Sequence, residues 1–164
     1  MSRALLALTM CALAVACSSP DEKARVDATA LDRVTFRQVE PVLGRRCGTI
    51  DCHGSAYRNF RIYGYGGLRL NPADKPDTPD ASTTSESDAT YDALVSLEPE
   101  LTRKVALAKG AGADDLTLVR KGRGTEDHEG GSLILRGDDA DACLIGWLSS
   151  APNADACARA AVAK

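Results

Sequence analysis

Two thiols and an imidazole fall close together in the stretch RRCGTIDCHGS: Cys47, Cys52 and His53, in the order C-x4-C-H. Covalent haem attachment needs this set: two thiols to meet two vinyl groups, and an imidazole directly after the second thiol to reach the iron. The interval is two residues longer than the usual C-x-x-C-H. Because the vinyl separation is fixed, the extra residues within GTID must bulge outward. On that chemistry Cys47 and Cys52 are the candidate thioether cysteines and His53 the candidate proximal ligand of one haem c.

A second axial ligand follows from counting. Both methionines, Met1 and Met10, lie in an apolar leader, so a processed chain has no thioether to offer. The other histidine, His128, sits in DHEGG, where Gly130 and Gly131 would let backbone approach a large planar ligand. His128 is therefore the candidate distal ligand; an exposed loop histidine between Asp127 and Glu129 is the alternative. Arg58, Arg61 and Arg69 are the nearest cations to balance propionates, or else ordinary surface charges.

The elements that must position these groups begin after the leader. Residues 1–16, with Arg3 before an apolar run and a small-residue end, read as a signal peptide, and the run is shorter than the ~20 residues that span a bilayer. LAVAC followed by SSP resembles the lipobox of bacterial lipoproteins, which implies lipidation at Cys17. Ser18 in second place then implies the periplasmic face of the outer membrane. Cleavage after Ala14, Val15 and Ala16 into a soluble periplasmic form is the alternative. Residues 17–32 read as a tether and 33–164 as one domain, with the membrane met through the lipid alone.

Of the six cysteines, Cys11 goes with the leader and Cys17 to lipid. Cys143 and Cys157 flank a break at Pro152 and Asn153 and are expected to form a structural disulfide, contributing roughly 3 kcal/mol for so short a loop.

Thr35 and Gln38 suggest a capping box for a helix carrying Phe36, Val39, Leu43 and Cys47, with Pro41 as a kink or the true start. Tyr57, Phe60, Tyr63 and Tyr65 crowd the segment after His53, packing something flat or filling a small core. Residues 71–88, rich in Pro, Asp, Ser and Thr, read as an exposed flexible loop, with Ser87 or Asp88 capping a helix that presents Tyr91, Leu94 and Val95. LTRKVALAKG fits either a strand or an extended loop. Asp114 and Asp115 are expected to cap a short helix with Leu116, Leu118 and Val119. The last strong helix starts near Asp139 and offers Leu144, Trp147 and Leu148 to a core. The chain is thus expected to be mainly α, with long irregular loops.

FRQVEPVLGRRCGTIDCHG, GLRL, DDLTLVRKG, HEGGS and DDADACLIGWLSS, taken in order, resemble the single-haem cytochrome c domains of exported bacterial proteins. The resemblance covers roughly residues 34–149. It implies a small helical cytochrome c-like fold, a haem c carrier of single electrons, and His128 as distal ligand. The chain differs from that group in its longer Cys–Cys interval and in the acidic loop after GLRL.

Other functions fit less of the pattern. A non-haem, disulfide-stabilised lipoprotein, acting as a structural or binding module with Cys47 and Cys52 bridged, accounts for the same cysteine parity. A zinc site on Cys47, Cys52, His53 and His128 is disfavoured because adjacent residues cannot both face one tetrahedral ion. No Ser-His-Asp spacing or nucleophile elbow suggests an enzyme. Charged residues make up 26% of the chain, the net charge is -3, and no basic patch invites nucleic acid. Cleavage would remove Arg3 from 20 basic side chains and none of the 23 acidic ones, for a mature charge of -4. An acidic carrier would meet a redox partner protein through a basic face on that partner.

Overall fold

The structure, a computed structural model, describes residues 31–64, 66–73 and 81–163. The leader, Cys17, most of the tether, Tyr65 and the middle of the acidic loop lie outside the described residues.

Six helices make up the described fold, and among the described residues there is no strand, only an isolated bridge between Tyr63 and Leu68. In chain order they are α1 (Arg33–Cys47), α2 (Thr84–Val95), α3 (Pro99–Leu107), α4 (Thr117–Gly122), α5 (Asp139–Leu148) and α6 (Ala154–Val162), with a 3-10 turn at Ala113–Asp115 before α4. No helix of the described residues is long and apolar enough to cross a membrane.

Helix α1 forms because Phe36, Val39, Val42, Leu43 and Cys47 recur on one buried stripe. Its cap is Asp32, whose carboxylate accepts from Val34 N and Thr35 N, and not the Thr35–Gln38 pair. Asp32 stands one turn earlier and satisfies the free amides first; the Thr35 hydroxyl donates to the Asp32 carbonyl instead. Pro41 is not the start, since helix runs through it from Arg33. The helix ends at Gly48, whose N–H returns to Leu43 and Gly44 carbonyls.

Around α1 the core is built from α2, α5 and α6. Phe36 meets Tyr91 edge-on at 5.5 Å and Trp147 at 5.0 Å, an arrangement contributing about 0.5–1.5 kcal/mol per pair beyond burial. Both polar tips are satisfied: Tyr91 Oη donates to Leu31 O and Trp147 Nε1 to Asp32 O. The same two side chains that fill the core therefore pin the start of α1. Cys143 and Cys157 form the expected disulfide and lock α6 against α5.

Four further expectations need correction. Helix α2 starts at Thr84, so residues 84–88 are helix and not exposed loop; Glu86 and Ser87 are buried. The cap is Thr83, not Ser87 or Asp88, through a capping box in which Thr83 Oγ1 accepts from Glu86 N and the Glu86 carboxylate accepts from Thr83 N. LTRKVALAKG is neither strand nor loop, because Pro99 at the first turn opens α3 and buries Thr102, Val105 and Ala106. Asp114 and Asp115 do not cap α4: Asp114 pairs with Arg123 and Arg136, and the first amide of α4, Thr117 N, is taken by Glu98 Oε2 at 2.7 Å.

Candidate functional site

Helix α1 delivers Cys47 to the interior on its last turn, and a tight turn then reverses the chain. Cys52 N and Gly54 N both return to Thr49 O at 2.9 Å, and His53 N returns to Cys47 O at 2.9 Å. Of the residues between the cysteines, Gly48 is buried, whereas Thr49, Ile50 and Asp51 are exposed. Close backbone packing holds the turn. A Cβ built on either Gly54 or Gly67 would overlap the Gly48 carbonyl oxygen, so these positions must lack one.

His53 is fixed from both sides. Its own carbonyl accepts from Ile62 N at 2.8 Å, and ring Nδ1 lies 3.0 Å from Phe60 O. A carbonyl can only accept, so Nδ1 carries the proton and Nε2 keeps its lone pair, the second-shell arrangement that prepares an imidazole to bind a metal. Burial holds the His53 pKa below its ordinary value, with neighbouring His128 and Arg58 adding to the effect and the Phe60 carbonyl opposing it. The ring is neutral at pH 7. Cys47 and Cys52 are not bridged to each other. Burial first, and Cys52 second, push the Cys47 thiol up to about 12 against a smaller opposing effect of Arg46, so it stays protonated.

His128 arrives from the loop between α4 and α5. That loop is clamped to its surroundings: Lys121 Nζ donates to Asp127 O, Arg58 pairs with Glu129 at 3.4 Å, and Arg46 Nη1 donates to Leu133 O. Leu133 N and Ile134 N share Gly122 O. Below it, Arg123 is buried against Asp141 at 2.6 Å and ties the end of α4 to α5. Gly130 makes room for the His128 ring itself rather than for a planar ligand, since a Cβ there would fall 2.8 Å from Cε1.

The two histidine rings, far apart in sequence, lie with centroids 5.8 Å apart and planes 8° apart. Two metal–nitrogen bonds of about 2 Å each, with the half-width of each ring added, put two imidazoles on opposite sides of one metal at roughly 6 Å. The pair lies at the junction of two cavities of about 300 and 270 Å³. The first is charged and holds Cys52, Asp51, Arg58, Lys121 and Glu129. The second is apolar and holds Cys47, Phe60, Leu118, Leu133 and Ile134. A flat macrocycle with an apolar rim and acidic substituents fits such a divided space, with one thiol in each half and two cations, Arg58 and Lys121, in reach of the acidic edge. Among the described residues no three His, Cys, Asp or Glu side chains converge on a bare metal ion.

Cys47, Cys52, His53 and His128 thus come together, and Cys143 and Cys157 lie apart in the α5–α6 hairpin. Of the three arginines, only Arg58 lines the cavities. Arg61 is exposed and donates to Arg58 O. Arg69 Nε lies 2.8 Å from Oε1 of the fully buried Glu86, paired by proximity rather than by a directed hydrogen bond. Phe60 packs against His53 at 4.9 Å, whereas Tyr57 is almost wholly exposed. Sequence reasoning missed Lys121, Leu118, Leu97 and the Leu133–Ile134 wall. The spacing of Leu118 and Lys121 on α4, one turn apart, was the available signal. No protein-family model, curated protein or solved structure matches the chain.

Proposed function

We propose that this chain is a c-type cytochrome, a periplasm-facing lipoprotein that carries single electrons on one covalently attached haem. Cys47 and Cys52 would form the thioethers, His53 and His128 the two axial bonds, and Cys17 the lipid anchor. The observation that carries the reading is the meeting of His53 and His128, parallel and 5.8 Å apart, where the Cys47 and Cys52 cavities join. The two unbridged thiols support it over a module stapled by a Cys47–Cys52 disulfide.

The haem would supply a one-electron iron couple, and paired imidazoles without a methionine favour a low potential. The chain's own residues do the rest. Phe60 O orients His53, the apolar wall of Leu118, Leu133 and Ile134 excludes water, and Arg58 with Lys121 would offset propionate charge. With His53 and His128 both holding the iron, no position would stay open for a substrate, so the resting protein would be a carrier rather than an oxidase or peroxidase. Electrons would pass to and from partner proteins.

The test is a reduced pyridine spectrum of protein made with a c-type maturation system. A thioether-haem band is expected, and His128→Ala should shift the ferric iron from low towards high spin. Colourless protein would refute the reading, and an unchanged spin state would remove His128 from it.

A further inference from the structure

The two imidazoles are held unequally. His53 donates Nδ1–H to Phe60 O, packs on the Phe60 ring, and has its backbone bonded on both sides, to Cys47 O and from Ile62 N. His128 sits in a loop whose nearest backbone bond is Gly131 N to His128 O, a small turn. Its Nδ1 is buried and has no hydrogen-bond partner among the described residues. Loss of a second-shell partner weakens metal binding by an imidazole roughly 10- to 100-fold. A buried N–H without a partner also gains by moving to water, so both effects favour the same motion.

Resting on the haem reading above, we infer that His128 is a releasable ligand and that its coordination position is a binding site for a small neutral diatomic molecule. When His128 leaves, the iron–nitrogen bond breaks and a bond from the iron to the incoming molecule forms, with no change of oxidation state. The charged mouth at Asp51, Lys121 and Glu129, next to His128 and Gly130, gives the displaced ring's Nδ1 a way to water. His53 stays bound throughout. The protein then has two states, a closed electron carrier and an open form that responds to such a molecule.

Carbon monoxide is the probe. The holoprotein is reduced with dithionite and mixed with increasing carbon monoxide while the Soret band is followed. Release of His128 must come first, so the rate should level off at high carbon monoxide. Gly130→Ala tests whether release of this ring sets the rate, because its Cβ would crowd the ring, 2.8 Å from Cε1 and 3.1 Å from Nδ1 of His128. Gly130 is not among the glycines with positive φ, so alanine meets no backbone strain there. The plateau rate should rise roughly ten-fold, which corresponds to about 1.4 kcal/mol, at the lower end of what overpacking costs.

Reduced wild type that takes up no carbon monoxide over hours, while His128→Ala takes it up at once, would overturn the inference. A rate that rises linearly without a plateau, or a plateau unchanged in folded Gly130→Ala, would do so too. If Gly130→Ala does not fold, the wild-type plateau decides. Failure of the underlying haem reading looks different: no Soret band is present before any gas is added.

Discussion

Removing Glu86 tests whether the start of α2 is tied to the Arg69–Leu70 segment through a buried carboxylate. Its side chain is fully buried, accepts from Leu70 N at 3.1 Å and Thr83 N at 2.9 Å, and pairs with Arg69. Glu86→Leu strands two part-buried amides, each costing about 1–3 kcal/mol, and leaves Arg69 without its carboxylate. Arg69 is a quarter exposed, so water softens that last cost. The expected loss is about 4 kcal/mol, within the range for removing one partner of a buried ion pair. Urea unfolding at pH 7, followed by fluorescence of the single, buried Trp147, measures it. Arg69→Met should also destabilise, and the Glu86→Leu/Arg69→Met pair should lose less than the sum, with a coupling of about 1 kcal/mol or more. A Glu86→Leu loss below about 1 kcal/mol would refute the buried pairing. So would an Arg69→Met protein of full stability but shifted redox potential, which would return Arg69 to the propionate role.

Gly54→Ala puts a Cβ into the Gly48 carbonyl and should cost at least the 1–3 kcal/mol of overpacking, read as a lower urea midpoint; a neutral result would disprove the close crossing. Replacing Cys143 and Cys157 together with serine should cost about 3 kcal/mol, seen by unfolding the oxidised wild type beside the variant. Burial raises the Glu40 carboxyl above its usual 4.5, with the charge on Glu86 adding to the shift and the Ser82 hydrogen bond opposing it. A raised acid binds its proton more tightly folded than unfolded, so its contribution is intact below about 4.5 and is lost as pH climbs through the folded value. Glu40→Gln should therefore match wild type near pH 4 and exceed it at pH 7 in urea midpoint, and parallel profiles would disprove the shift.

What could be read from the sequence was local. The stripe of α1, the Trp147 helix and the Cys143–Cys157 pair follow from periodicity and spacing, which the chain displays over a few turns. The acidic segment misled because composition cannot show that Glu86 finds Arg69 and a backbone amide at Leu70 to make burial tolerable. Helix α3 was hidden because Val105 and Ala106 give only a short apolar stripe, and its starting signal, Pro99, looked like a stop for the helix before. At the site, Cys47, Cys52, His53 and His128 announce themselves by type. The walls do not: Phe60, Leu118, Lys121 and Leu133 come from three separate segments, brought together by the ties of Arg46, Arg58 and Lys121 to the His128 loop and by the Leu133 and Ile134 amides on Gly122 O.

The most direct measurement is the mass of the tryptic peptide Cys47–Arg58 from protein made with a c-type maturation system and extracted with acid acetone. One whole haem retained on that peptide, with neither thiol open to alkylation, is the expected result. The same peptide at its bare mass, with two alkylatable thiols or a Cys47–Cys52 bridge, would show that no haem is bonded there.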